Sequence, residues 1–160
     1  MNAAMVRIQN DSIGLKLWLS YYSKSFEDIY VFVCSTPEGA FDHLKKKYKF
    51  TEIRVGDRIH SMTAHEAVFA KQKELFKDHK WVLYADLDEF VVADPEKYKG
   101  LKDFMRRCKD EQTFCYGYNV IKKDGEGPID YSKPYLMQRS TWAHETSGSY
   151  NKPALSKVPT

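Results

Sequence analysis

The sequence has few residues that form covalent crosslinks, and it has no long apolar run. Its three cysteines, Cys34, Cys108 and Cys115, are an odd number without C-x-x-C spacing, which argues against a disulfide framework and a thiolate zinc site. No apolar run approaches the roughly 18 to 20 residues of a membrane span. The segment Met1–Gln9 lacks the basic start, apolar centre and cleavage site of a secretory signal. We therefore expect a cytoplasmic chain with reduced thiols.

Two common phosphate-binding sequences are also absent. The chain has eight glycines but contains neither a G-x-x-x-x-G-K-[ST] loop nor a G-x-G-x-x-G loop. Its charge is nearly balanced, with 25 Lys and Arg against 22 Asp and Glu and a formal net charge of +3. This balance argues against a disordered acidic tail and against a nucleic-acid partner, whereas mild basicity suits a small anionic ligand.

Short apolar runs alternate with longer segments of helical period, a pattern typical of parallel strands joined by crossover helices. The predicted strands are Ala3–Gln9, Ile29–Cys34, Thr51–Val55, Trp81–Ala85, Thr113–Ile121 and Tyr135–Trp142. The first predicted helix is capped by Asp11 or Ser12, and the other predicted helices are Ala40–Tyr48, about Thr63–Lys77 and Leu101–Cys108. The fold class is therefore α/β, and 160 residues with 42% hydrophobic content are enough for one domain core.

Helical spacing also predicts which side chains face the core. In the first helix they are Ile13, Leu17, Trp18, Tyr21 and Tyr22, and in the third helix Phe69, Gln72, Leu75 and Phe76. The segment Lys122–Lys133 is rich in Gly, Asp, Lys and Pro, which predicts a loop. The polar tail Gly148–Thr160 contains proline and favours a single domain, residues 1–160, that is truncated within a larger protein.

Three carboxylates follow the fourth predicted strand directly, namely Asp86, Asp88 and Glu89. In extended backbone, residues two apart point to the same side, so Asp86 and Asp88 are predicted to converge while Leu87 packs the other way. The carboxyl ends of strands border the ligand crevice of an open α/β sheet. Because Mg²⁺ and Mn²⁺ prefer oxygen ligands and keep positions for substrate phosphates, this pair predicts a site for a metal and a diphosphate.

The segment Asp86-Leu-Asp88-Glu-Phe90 resembles the D-x-D-E-F motif of GT-A type glycosyltransferases, specifically the family 2-like group. The likeness covers most of the chain, because the opening strand, helix and second strand resemble the first nucleotide-binding βαβ unit of that family. Gln72 also stands where such proteins often carry a glutamine. The downstream segments that add to the resemblance are Gly117-Tyr118, Gly127-Pro-Ile-Asp130, Gln138-Arg139 and Lys152-Pro153.

The resemblance implies a Rossmann-like α/β/α sandwich with a central, mainly parallel mixed sheet. It also implies a metal-dependent enzyme that moves a sugar from a UDP or GDP type nucleotide-diphosphate donor to a hydroxyl of a glycan or other acceptor. Asp86 and Asp88 would hold Mn²⁺ or Mg²⁺, with Asp86 also contacting the donor, so that the cation stabilises the departing diphosphate. A histidine ligand is expected beyond Thr160.

Further donor contacts are assigned by the same resemblance. Arg7 and Asn10 end the first strand, where they can reach the nucleotide, and Gln72 is included in the donor site. At the end of the second strand the family usually has an acidic residue, for which Ser35 or Glu38 substitutes here.

Two roles are assigned to the downstream part of the chain. Arg139 and Lys152 are expected to neutralise the diphosphate charge. Asp130, with Glu126 in reserve, is the predicted general base, because a base must lie on a loop that reaches the acceptor hydroxyl. The five histidines show no metal-binding spacing, so packing or surface roles are expected for them.

Two other functions fit parts of the pattern. Phosphatases of the haloacid dehalogenase type also place D-x-D after an apolar strand, although usually after the first strand and with Thr or Val where Phe90 stands here. A domain that binds nucleotide sugars without catalysis is the second alternative, which the implied histidine beyond Thr160 keeps open.

Overall fold

The computed structural model describes residues 1–56, 58–130, 133, 138–144 and 154–158. The chain divides into two compact units. The first unit comprises Met1–Thr113 with Ala154–Thr160, and the second comprises Phe114–Pro153. In the described residues, the longest helix has 14 residues, and no helix combines the length and hydropathy that crossing a membrane requires.

The first unit is built on a six-stranded sheet in the order β3-β2-β1-β4-β8-β5. The elements of this unit are β1 (Asn2–Ile8), α1 (Ser12–Tyr22), β2 (Asp28–Val33), α2 (Asp42–Lys45), β3 (Thr51–Arg54), α3 (Met62–Leu75), β4 (Trp81–Tyr84), α4 (Leu101–Arg107), β5 (Gln112–Thr113) and β8 (Leu155–Ser156). Strands β1 to β4 are parallel, and β8 runs antiparallel to both of its neighbours. The predicted α/β class with a mainly parallel mixed sheet is confirmed, and the order is compatible with a Rossmann-like fold.

Strand β1 lies in the middle of the sheet and is buried on both faces. Ala3, Ala4, Met5, Val6 and Ile8 are all fully buried. A continuous apolar run of this kind is what a central parallel strand needs, because helices cover both sides of such a sheet. Helix α3 covers the face that carries Ala3 and Met5.

Helix α1 begins after Asp11, whose carboxylate accepts a hydrogen bond from the Gly14 backbone N–H at 2.8 Å, as the predicted cap requires. Its buried side chains are Leu15, Trp18, Leu19 and Tyr22. The predicted face was wrong at Ile13, which is 58% exposed. Successive helical residues lie about 100° apart, so Ile13 falls on the side opposite this buried stripe.

Helix α3 begins after Ser61, whose hydroxyl accepts a hydrogen bond from the Ala64 N–H at 3.2 Å. Gln72 and Leu75 are buried as predicted, but Phe69 is 53% exposed. Phe69 directly follows the buried Val68. Because successive side chains of a helix lie about 100° apart around its axis, Phe69 points away from the covered face.

Several other boundaries differ from the prediction. The helix expected from Ala40 is only the four-residue α2. The strand predicted over Thr113–Ile121 is two strands, β5 and, in the second unit, β6 (Tyr118–Ile121). Strand β6 pairs antiparallel with β7 (Thr141–His144), which begins later than predicted, and residues 135–137 of the predicted strand lie outside the described residues. The tail expected to be polar contributes buried Leu155 and Ser156 to the first sheet.

Candidate functional site

The sheet order places the carboxyl ends of β1 and β4 at a topological switch point. Strands β2 and β3 lie on one side of β1, whereas β4 pairs with its other side, so the chain crosses over between β3 and β4. In open α/β sheets the ligand crevice forms where the order reverses in this way. The segment that follows β1 and the D-x-D segment that follows β4 therefore border the expected crevice.

The D-x-D segment is a tight turn and not an extension of β4, which ends at Tyr84. The Glu89 N–H donates to the Asp86 carbonyl at 3.0 Å, and the Asp86 N–H donates to the Glu89 carboxylate at 3.1 Å. The expected alternation of extended backbone therefore does not apply at Asp88, because the chain reverses as it leaves the sheet. The Asp86 side chain is 43% exposed, and Asp88 is exposed.

Side chains of helix α1 form hydrogen bonds with the outgoing side of this turn, residues 89–91. The buried hydroxyl of Tyr22 donates to the Glu89 carbonyl at 3.0 Å and accepts from the Val91 N–H at 2.8 Å. The Tyr21 hydroxyl donates to the Val91 carbonyl at 2.8 Å, and burial raises the pKa of Tyr21, so this donor stays protonated. The ring of Phe90 stacks parallel to that of Tyr22 with centroids 6.3 Å apart.

The incoming side of the turn approaches the first turn of α1 closely. A Cβ atom added at Gly14 would lie 2.8 Å from Cδ2 of Leu87 and 2.6 Å from Oδ2 of Asp11. Only glycine fits at this position without a shift of its neighbours. Leu87 therefore fixes the turn against the helix, as the sequence argument expected when it assigned this residue to packing.

Arg7 lies at the carboxyl end of β1 and is almost buried, with 8% exposure. Its guanidinium donates from Nε to the Tyr84 hydroxyl and from Nη1 to the Ile59 carbonyl, the latter at 3.0 Å. Nη1 also lies 3.0 Å from Nε2 of His65, and Nη2 lies 4.0 Å from Oδ1 of Asp86. Alternation along β1 explains this environment, because Arg7 shares the face of Ala3 and Met5 that α3 covers.

The Tyr84 hydroxyl connects this arginine to the turn. It donates to Oδ1 of Asp86 at 3.2 Å. Burial, and then the negative charge of Asp86, raise the pKa of Tyr84, whereas Arg7 lowers it by less. Tyr84 therefore remains a neutral donor at physiological pH, and the Asp86 carboxylate accepts its hydrogen bond.

A second polar region lies where β1 and β2 end. Asn10 and Ser35 both have positive φ angles, 52° and 40°. The Asn10 N–H donates to the Thr36 hydroxyl at 2.9 Å, and that hydroxyl donates to the Cys34 carbonyl at 2.7 Å. These bonds join the ends of the two strands and fix the orientation of both turns.

Beside this junction is a cavity of about 440 Å³. Its lining residues are Val33, Ser35, Thr36, Pro37, Arg54, Val55 and Gly56. Arg54 donates to the carbonyls of Thr36 at 2.7 Å and Pro37 at 3.1 Å and pairs with Glu52 at 3.0 Å. Ser35 thus lines an open cavity, whereas Glu38 is exposed and is not among the lining residues.

The remaining predicted donor residue of the first unit is Gln72. It is 8% exposed and lies on the buried side of α3 with Val68 and Leu75. Its place in the donor site stays a prediction.

In the second unit, Asp130 and Arg139 lie in one hydrogen-bonded loop. The Asp130 N–H donates to the Gln138 side chain at 2.7 Å, and the Asp130 carboxylate pairs with Lys133 at 3.0 Å. The Arg139 guanidinium donates to the Gln138 carbonyl at 2.7 Å, and its Nε lies 3.7 Å from Glu126. The structure therefore brings these predicted residues together, while Lys152 lies outside the described residues.

Glu126, the reserve base, is held as an acceptor. It accepts hydrogen bonds from the backbone N–H of Lys123 at 2.9 Å and from the Ser140 hydroxyl at 3.0 Å. These bonds, led by the one from Lys123, lower the pKa of Glu126. A lowered pKa makes Glu126 a weaker base, and the assignment of Asp130 as the general base stays a prediction.

Tyr84, His65 and Tyr22 are polar partners that the sequence argument did not identify. Tyr84 was part of an apolar strand, Tyr22 was assigned to packing alone, and His65 has no partner at metal-binding spacing. Only the position of Tyr84, two residues before Asp86 at the end of a strand, was a signal in the sequence. His65 and Arg7 are 58 residues apart in the sequence, so no local sequence pattern indicates that they are in contact.

Asp86 and Asp88 are the residues of the turn whose side chains could hold a cation. Asp86 and Asp88 offer carboxylate oxygens, and in the described part of the chain no group of three or more His, Cys, Asp or Glu side chains is placed to hold a metal. A metal ion at these two carboxylates stays a prediction. The chain matches no family model and has no significant match among curated proteins.

Proposed function

We propose that the chain is a metal-dependent glycosyltransferase of the GT-A type. The donor would be a UDP or GDP type nucleotide-diphosphate sugar, the acceptor a hydroxyl of a glycan or related molecule, and the location cytoplasmic. One observation carries the proposal: the carboxylate turn of Asp86 and Asp88 follows β4 at the switch point of the sheet. The open cavity at the carboxyl ends of β2 and β3 adds support, because it lies on the same edge of the parallel sheet as the carboxylate turn.

The proposed roles of the residues rest on the family resemblance. When bound, a divalent cation held by Asp86 and Asp88 would supply Lewis-acid stabilisation of the charge on the departing diphosphate. Asn10 and Ser35 would contact the nucleoside beside the cavity. The remaining proposed donor residues are Arg7, Gln72, Arg139 and Lys152. Asp130 would accept the proton of the acceptor hydroxyl.

Isothermal titration with UDP and with GDP, each with and without Mn²⁺, tests the proposal. We expect measurable affinity for one nucleotide only when Mn²⁺ is present, and Asp88→Ala should abolish that metal-dependent part. Asp124→Ala, in the exposed loop that follows β6, is the matched control and should bind as the unmodified chain does. Absence of metal-dependent affinity for either nucleotide would contradict the proposal.

The same preparation separates the two alternatives. A phosphatase would release phosphate from an aryl phosphate and lose that activity in Asp86→Asn. A binding domain would retain a nucleotide sugar without hydrolysis or transfer across a panel of acceptors. The proposed transferase instead releases a nucleoside diphosphate from its donor when an acceptor is supplied.

A further inference from the structure

We propose that Tyr84 is a positioning residue for Asp86, and that Arg7 and His65 fix the direction in which the Tyr84 hydroxyl donates. The cluster consists of these four side chains and the Ile59 carbonyl. The inference rests on the proposed function, because it assigns Asp86 the role of a cation ligand. It goes beyond that function because it names side chains that orient the Asp86 carboxylate without touching the cation themselves.

The direction of the Tyr84 hydrogen bond follows from counting protons. A guanidinium can only donate, so the bond from Arg7 Nε occupies an acceptor position of the Tyr84 oxygen. The single hydroxyl proton is then available for Oδ1 of Asp86, which lies 3.2 Å away. Arg7 itself reaches Asp86 only at 4.0 Å, beyond hydrogen-bonding distance. Tyr84 therefore provides the directed contact that the ion pair does not.

His65 fixes the arginine in turn. Because Arg7 Nη1 can only donate, the Nε2 atom of His65, 3.0 Å away, must be the acceptor. The proton of the neutral imidazole then lies on Nδ1, which donates to the Ser61 carbonyl at 2.9 Å. Ser61 caps α3, so the start of this helix determines where the guanidinium lies.

The consequence for Asp86 is a restricted carboxylate. One of its oxygens is oriented by a partly buried chain of hydrogen bonds in which Arg7 of β1 donates to Tyr84 of β4 and Tyr84 donates to Asp86, while the donation from Arg7 to His65 of α3 holds the guanidinium in place. Partners of this kind orient metal ligands, and their loss typically weakens metal binding by about 10-fold to 100-fold. A carboxylate on an open turn, by contrast, would have to be ordered at the moment of binding.

Binding of Mn²⁺ alone to the whole chain tests the inference, with the electron paramagnetic resonance signal of the free ion as the readout. We expect Tyr84→Phe, which keeps the ring and removes the hydroxyl, to raise the Kd by about 10-fold. Arg7→Lys keeps the charge but cannot donate to three partners from one planar group, so it should also weaken binding. Tyr30→Phe is the control, because Tyr30 lies on β2, two strands from Tyr84, with its ring against the Lys71 amine of α3.

Two further readouts separate positioning from loss of structure. The circular dichroism spectrum and the tryptophan fluorescence of each variant should both match those of the unmodified chain. If Tyr84→Phe and Arg7→Lys both bind Mn²⁺ as the unmodified chain does, the positioning role is refuted while the proposed function stands. If the unmodified chain binds no Mn²⁺ at all, the proposed function fails and this inference fails with it.

Discussion

At the level of single residues, the candidate site depends on contacts that α1 and β4 make with the turn of Asp86 and Asp88. Gly14 leaves room for Leu87, and Tyr22 binds the backbone on the outgoing side of the turn. Tyr84 orients the Asp86 carboxylate. These contacts couple the first helix and the first strand to the residues that would carry the chemistry.

Gly14→Ala tests the closest of these contacts. The added methyl would lie within 3 Å of both Leu87 and the capping Asp11, so we expect a loss of about 1 to 3 kcal/mol in the free energy of unfolding. Urea unfolding followed by tryptophan fluorescence measures it. Gly127→Ala is the matched control, since nothing lies within 4 Å of its added methyl. Equal stability of the two variants would contradict the described packing of Leu87.

At the scale of elements, a short strand from the tail completes the sheet. Leu155 of β8 is fully buried, and β8 pairs with both β4 and β5. Lys157 then donates to the Cys108 carbonyl at 3.0 Å, and its amine lies 4.6 Å from the centre of the Trp81 ring. The two-residue strand therefore covers the side of β4 opposite to β1.

Leu155→Ala should be strongly destabilising for this reason. Removal of a fully buried leucine side chain typically costs about 2 to 5 kcal/mol, because the cavity left behind is only partly filled. Chemical denaturation at neutral pH measures the change. Val92→Ala serves as the control, since Val92 is 53% exposed and should change stability little. A loss below about 1 kcal/mol at Leu155 would show that β8 does not close the sheet.

Helix α4 carries a pH-dependent interaction in its first turn. Asp103 pairs with Arg106 at 2.6 Å and accepts from the Lys99 N–H at 3.2 Å, and these bonds, with the Arg106 bond first, lower the pKa of Asp103. A carboxyl whose pKa is lower in the folded state contributes stability above its unfolded pKa of about 3.9. That contribution is lost as the pH falls through the lowered folded value.

Carboxyl ¹³C NMR titration of the folded chain should give Asp103 a pKa below the usual range for Asp. In Asp103→Asn the part of the acid-induced loss of stability that comes from this residue should disappear. Asp124→Asn, in an exposed loop, is the comparison variant and should leave the acid dependence as it is. An ordinary pKa at Asp103 would contradict the described ion pairs.

At the scale of the whole molecule, the local sequence pattern predicted the part of the fold that depends on nearby residues. The central strands are continuous apolar runs, and Asp11 is a recognisable cap. The predicted bounds are therefore close to those in the structure for β1, α1, β2, β3 and β4. Strand β8 escaped notice because two residues cannot show a period. Its partners, β4 and β5, lie more than 40 residues earlier in the chain.

The candidate site was predictable to the same extent. The position of Asp86 and Asp88 after an apolar strand identified the turn, but extended alternation was the wrong reason to pair them. The contacts among Arg7, His65 and Tyr84 join three elements that are distant in sequence. Only the folded sheet brings such partners together, which is why spacing rules could not identify them.

The most direct measurement is a crystal structure of the chain with Mn²⁺ and the nucleoside diphosphate that binds, collected at a wavelength where manganese scatters anomalously. We predict one anomalous peak that contacts the carboxylates of Asp86 and Asp88 and the diphosphate together. The nucleoside should lie toward the cavity that Ser35 lines. A diphosphate bound with its metal away from both carboxylates would contradict the account.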